Sequence, residues 1–215
     1  CRVGFDLSDI LKDNYPPTAP VFLYLFHLRN LMMDKVAAQN GILATIIEEF
    51  WFAARFIAPS DLMLKILKTD RKRGGWLILV SQSPADAIAS DIFPAIIEQT
   101  PTKIYLPNPA AEYQGSYERC QMTRKEFKEL KKLSLASRTF LVKQSTQSAF
   151  AKLDLKGFTD EIAVLSGSSG NVELLHQVMA QYGEHPDDWY VPFIAAVRQK
   201  REAKRMAAQA VFSET

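Results

Sequence analysis

The stretch ILATIIEEFWFAAR, residues 42–55, decides the fold. A mostly apolar run from Ile42 to Ile47 meets two adjacent glutamates, Glu48 and Glu49, and an aromatic, helix-like segment follows at once. A short continuous apolar run of this kind reads as a buried strand. Paired acids at its tip have two readings. They are a solvated strand end, or they stand at the carboxyl edge of a parallel sheet, where α/β proteins bind ligands.

The flanking segments support a layered α/β chain. RVGFDLSDIL (2–11) reads as a short strand and turn, and NYPPTAP (14–20) as a proline-rich break. From Val21 to about Ala38 apolar residues recur at helical spacing, through Phe22, Leu25, Phe26, Leu28, Met32 and Val36. Gly41 then resets the chain into the strand. SDLMLKILKTDRKR (60–73) predicts a helix with Ser60 as its N-cap and a basic end that suits the helix dipole. GGWLILVSQ (74–82) is a second continuous apolar strand, DIFPAIIEQT (91–100) a broken helix, and TKIYLP (102–107) a third strand. Strands alternating with helices up to about residue 107 predict a parallel sheet covered on both faces, with right-handed crossovers.

Beyond that point TRKEFKELKKL (123–133) reads as an exposed helix and residues 137–155 as a hairpin. Helices follow at roughly 159–165, 171–182 and 187–209, with LSGSSGN (165–171) as a turn in which Asn171 caps the next helix. No repeat, low-complexity linker or domain boundary stands out.

Composition excludes several classes. The chain has 215 residues, 47% of them hydrophobic, enough for one sizeable core or two small ones. A net charge of +2 gives no global argument for a nucleic-acid or membrane partner. Cys1 and Cys120 have no metal-ligand spacing, and a reducing compartment fits them. His27, His176 and His185 are scattered. The most apolar long stretch, VFLYLFHLRNLMM (21–33), is interrupted by His27 and Arg29 and is too short to span a bilayer. The chain opens at CRVGFD without a Met, and we expect it to be a piece of a longer protein.

Paired acids at a strand tip suit nucleotide hydrolysis, in which one carboxylate supports the Mg²⁺ water shell and the next polarises the attacking water. Glu48 takes the first role in this reading and Glu49 the second. Gln82, at the tip of the next strand, is placed to sense a terminal phosphate or orient water; otherwise it merely caps the strand. Arg71, Lys72 and Arg73 lie at the far end of that strand. Arg71 is therefore either a solvated, dipole-matched cation or an arginine finger for a neighbouring subunit's nucleotide. The phosphate-binding pattern G-x-x-x-x-G-K-[ST] is absent from the chain. FWFAARF (50–56) reads as core rather than as a base-stacking platform, and RQKREAKR (198–205) as a solvated basic extension of a helix docked through Trp189, Phe193 and Val197, with a nucleic-acid or phospholipid contact as the alternative.

In order, GFDLSDIL, PVFLYLFHLRNLM, IIEEFWFAA, RKRGGWLILVSQSPADAIAS, TKIYLPNP, MTRKEFKEL, SRTFLVKQ and LDLKGFTDEIAVLSG resemble the CagE/TrbE/VirB family of type IV secretion ATPases, up to about residue 195. The resemblance implies the C-terminal part of a RecA-like, P-loop-type α/β domain: a parallel sheet flanked by helices, with a C-terminal hairpin and helices. It implies ATP and Mg²⁺ as ligands of the whole protein. IIEE takes the place of the Walker B strand, Gln82 that of the polar residue on the following strand, and Arg71 that of a candidate trans arginine. It further implies other type IV secretion components and further copies of the chain as partners, and a cytoplasmic location peripheral to the bacterial inner membrane.

Two departures stand out. Glu48 occupies a position where the family usually has Asp, and Ser81 one where Thr is common. Without a phosphate loop the isolated chain is expected to hydrolyse ATP negligibly. Two other readings stay open: a DNA-pumping motor related to conjugative coupling proteins, and a non-catalytic docking module of the secretion machine.

Overall fold

The computed structural model describes residues 2–213, and of residues 207, 208 and 210–213 only the backbone. Cys1 lies outside the described residues. The chain divides into two compact units, Cys1–Lys152 and Leu153–Thr215.

Among the described residues the first unit opens without a strand. The Ser8 amide and hydroxyl both donate to Asp6 Oδ1, and Ile10 N donates to Leu7 O. This is the turn expected within residues 2–11; the short strand expected with it does not form among the described residues. Helix α1 (Thr18–Ala38) ends at Gln39, and Asn40 and Gly41 turn the chain into strand β1 (Leu43–Ile47). Helices α2 (Phe50–Ala54) and α3 (Ile57–Thr69) follow, then a 3₁₀ turn over Asp70–Arg73 and strand β2 (Gly75–Leu79).

The start of α3 corrects one expectation. Phe56 is extended and precedes the helix, and Ser60 is a buried residue within it whose amide donates to Phe56 O. Pro59 sits in the first turn, where the missing N–H costs nothing, so the helix begins one turn earlier than Ser60.

β1 and β2 pair in parallel, from Leu43 opposite Gly75 to Ile47 opposite Leu79. Gly74 makes the entry possible. Its φ is +80°, and a Cβ there would stand 2.4 Å from Gly41 O. Leu77, Leu79 and Ile47 turn toward a core of Phe22, Phe26, Phe50, Phe52, Met63 and Ile66. The other face is not covered among the described residues: Ile46 and Trp76 are each 63% exposed. The expectation of a sheet covered on both faces is thus met on one face only.

Helices α4 (Pro84–Ile88) and α5 (Phe93–Gln99) lead to β3 (Thr102–Tyr105). β3 does not join the parallel pair as its third strand. It pairs antiparallel with β4 (Thr139–Gln144), which pairs antiparallel with β5 (Gln147–Lys152). The alternation of polar and apolar residues in TKIY suits a strand with one face in water, as antiparallel sheets allow.

Helix α6 (Arg124–Lys132) is amphipathic rather than wholly exposed. Thr123 and Glu126 form its capping box, and Phe127 and Leu130 are buried with Leu141, Met122 and Tyr117. Glu126 also pairs with the buried Lys143 at 3.0 Å. Burial alone would raise the Glu126 carboxyl. Hydrogen bonds from Ser148, from the Thr123 backbone and from the Lys143 and Thr123 side chains outweigh it and hold the group down at about 2.

The second unit is helical: α7 (Thr159–Leu165), α8 (Ser169–Tyr182) and α9 (Pro186–Ser213). Ala163, Val178, Phe193, Ile194 and Val197 form its core, with Trp189 packed against them. Ser168, not Asn171, precedes α8, and the Asn171 amide instead donates to Ala163 O at 3.2 Å. In the basic segment of α9, Arg198 pairs with Asp160 and Lys200 donates to Gly170 O.

Candidate functional site

The site is built where β1 and β2 end side by side. Their ladder continues past the strands, with Val80 N donating to Ile47 O at 3.0 Å and Phe50 N to Val80 O at 3.4 Å. Both chains therefore leave the sheet in register and bring residues 48–49 beside residues 80–82. Glu49 turns the chain with a left-handed backbone (φ 51°, ψ 37°). A non-glycine residue held there costs on the order of 1 kcal/mol, and such strain gathers at functional positions.

The Glu49 carboxylate is gripped from two elements. Gln82 Nε2 donates to Oε1 at 2.6 Å, and the Trp51 indole Nε1 donates to Oε2 at 2.5 Å. The structure thus brings together two residues that are 33 apart in the chain and that the sequence pairs only by strand order. Glu48 is exposed at the end of β1, with no hydrogen-bond or ion-pair partner among the described residues.

Gln82 is held from both sides. Ser81 Oγ lies 2.9 Å from both Ser83 O and Asp86 Oδ2, which share its single proton, and Ser83 and Asp86 close the capping box of α4. Ser81 is therefore a structural pin for the loop that presents Gln82.

Arg71 lies away from this cluster. It is exposed in the 3₁₀ turn before β2, while Gln82 follows the other end of that strand. A five-residue strand spans roughly 17 Å, too far for one side chain to serve both ends. Arg73 in the same turn is occupied by Asp34.

FWFAARF divides between core and surface. Phe50 and Phe52 are buried as expected, whereas Trp51 and Arg55 face the site. Arg55 stacks 5.4 Å from the Phe52 ring and 6.0 Å from the Trp51 ring, and pairs with Asp13 at 2.8 Å. A hollow lined by Trp51, Ala54, Arg55, Asp86, Ser90 and Asp91 opens beside it. Its two carboxylates oppose one guanidinium, which disfavours a phosphate there. Sequence reasoning missed Trp51, whose only signal is an N–H donor two residues after an acid. It also missed the polar layer under the sheet. Arg29 Nε donates to Thr45 Oγ1 at 3.0 Å, and its guanidinium forms a close ion pair with the buried Asp70 in which Oδ2 gains no aligned hydrogen bond.

Among the described residues no cluster of three or more His, Cys, Asp or Glu could cage a metal ion, and no helix is long and apolar enough to cross a membrane. A lone exposed carboxylate at Glu48 fits Mg²⁺ only in its hydrated form, with phosphate oxygens and water completing the shell.

No family model matches the chain. Named relatives do. The type IV secretion system protein VirB4 of Bartonella henselae is 40% identical over 201 residues, which is 93% of this chain and 24% of the relative. VirB4 of Brucella suis is 36% identical over 205 residues, 95% of this chain and 23% of the relative. The type IV secretion system protein PtlC of Bordetella pertussis is 31% identical over 201 residues, again 93% of this chain and 23% of the relative. The chain thus spans about a quarter of the length of the curated relatives it matches. With nearly all of its residues aligned at 31–40% identity, the chain belongs to the VirB4 family of type IV secretion system proteins.

Proposed function

We propose that this chain is the C-terminal, Walker-B-bearing part of a RecA-like ATPase domain that energises substrate transfer and pilus assembly in a type IV secretion system. The observation that carries the reading is the contact between Glu49 and Gln82 at the tips of two adjacent parallel strands. Such tips are where open α/β sheets bind ligands.

In this reading Glu49 orients and polarises the attacking water, and Gln82 reads the terminal phosphate. Glu48 holds the water shell of Mg²⁺. The ion, when bound with ATP, supplies neutralisation of phosphate charge. The extra methylene of Glu48, relative to the usual Asp, favours contact through water over direct ligation. Arg71, at the opposite end of β2, acts across a subunit interface on a neighbouring copy's nucleotide. Other components of the secretion system are the further partners, at the cytoplasmic periphery of the inner membrane.

The test is ATP turnover of the full-length protein beside that of this chain. Full-length Glu49→Gln should bind a fluorescent ATP analogue normally and lose at least a hundredfold in kcat. This chain alone should show no turnover above background. Turnover of this chain that Glu49→Gln abolishes would contradict the reading.

A second reading has one observation in its favour, the bare apolar face around Ile46 and Trp76. It makes the chain a docking module in which the sheet is only scaffold. Absence of nucleotide binding by the full-length protein, with retained capture of secretion components, would favour it.

A further inference from the structure

We infer that Trp51 is a positioning residue for Glu49: its indole N–H fixes the second carboxylate oxygen, so that Glu49 keeps one orientation even when Gln82 turns toward a phosphate. The inference rests on reading Glu49 as the water-orienting acid.

A carboxylate held through one oxygen still swings about its Cγ–Cδ bond. Glu49 is held through both, by the Gln82 amide at 2.6 Å and the Trp51 indole at 2.5 Å. The donors come from different elements, the loop after β2 and the first turn of α2. Both donors are neutral, and roughly two of the four acceptor sites of the carboxylate remain for water. The αL backbone of Glu49 sets where the side chain starts, and the two donors set where it ends.

The two donors are not equivalent. Gln82 is exposed on a loop, and reading a phosphate requires its amide to turn from Glu49. Trp51 has no such second duty. Its ring meets Phe52 edge-on at 5.4 Å, Phe52 is buried in the core, and the Arg55 guanidinium lies 6.0 Å from the indole. Arg55 is in turn tied to Asp13. The indole N–H is therefore aimed by core packing, and it is the donor that remains once Gln82 is engaged elsewhere. A hydrogen bond to a charged acceptor is among the stronger neutral-donor contacts, enough to decide one orientation of a short side chain.

Two measurements test this. In this chain, the Trp51 indole N–H resonance is assigned by its loss in Trp51→Phe. It should move upfield in Glu49→Gln, where the charged acceptor is gone; an unmoved resonance overturns the inference without any need for activity. In the full-length protein, Trp51→Phe keeps the ring and deletes the donor. It should lower kcat on the order of tenfold with KM for ATP unchanged, and Trp51→His, which restores a ring N–H, should recover part of the loss. Wild-type kcat in Trp51→Phe beside an inactive Glu49→Gln overturns the positioning role alone. Full turnover in Glu49→Gln overturns the nucleotide reading, and the positioning role falls with it.

Discussion

The two sheets of the first unit solve the same problem differently. The antiparallel sheet β3–β4–β5 has its own helix: α6 lays Phe127 and Leu130 over Leu141, which is 0% exposed, and the Lys143–Glu126 pair is satisfied inside. The parallel pair β1–β2 buries one face and leaves Ile46, Trp76 and Ile78 in the open. Parallel strands are ordinarily covered on both faces, and two strands are few for a stable sheet. The self-sufficient sheet has its polar and apolar groups paired within its own layer. The unfinished one carries the strained glutamate and the two donors that hold it. Strand tips are where backbone groups leave the ladder and side chains can converge.

The largest expected effect breaks or confirms that division directly. Glu49→Gln should cost the full-length protein at least a hundredfold in kcat, while calorimetry of this chain shows a melting temperature within a degree or two of wild type. A large drop in melting temperature would make Glu49 a structural residue and end the contrast.

Next comes a pair of core and surface changes. Leu141→Ala should destabilise the chain by about 2–5 kcal/mol in urea titration, because it removes fully buried methyl groups. Ile46→Thr, on the bare face, should stay within about 0.5 kcal/mol. Equal losses would show that the parallel pair is covered in solution.

Asp70→Asn strips the charge that Arg29 pairs with beneath β1 and β2. Leaving a buried guanidinium uncompensated costs about 3 kcal/mol or more in the same titration. The loss should report through Trp76 fluorescence, since Gly75 and Trp76 begin β2 directly after the turn that holds Asp70.

The last effect is confined to acid pH. The Glu126 carboxyl is held at about 2, below the 4.5 of a free glutamate. Because the folded value is the lower one, the unfolded chain binds more protons between them. The stability Glu126 contributes is complete above 4.5 and is lost as pH falls toward 2. Glu126→Gln should flatten the acid limb of the stability curve in that window and leave it unchanged in shape above it. An unaltered limb would locate acid sensitivity elsewhere.

Much of the local order was legible. α1, β1, β2, the 139–152 hairpin and the three C-terminal helices fall where periodicity and turn chemistry put them. The errors are local competitions. The short strand expected beside the Asp6–Ser8 turn does not form, and Pro59 pulled the start of α3 ahead of Ser60. Of the site, the acids and Gln82 were legible as the ends of apolar runs. Trp51 was not, because it was read as one of three consecutive aromatic core residues.

By itself, then, the sequence determined what is short-range: which segments are helical and which extended over most of the chain, that two apolar strands close on polar tips, and the resemblance that their order carries. Only the tertiary structure decided what is long-range. It set β3 beside β4 rather than beside β2, left one face of the parallel pair bare, paired Arg29 with Asp70, and closed Gln82 and Trp51 on the two oxygens of Glu49. The physical reason is the range of the forces. Hydrophobic period and capping act within a few residues, whereas strand partners and buried polar pairs are chosen by which distant surfaces fit once the chain has collapsed.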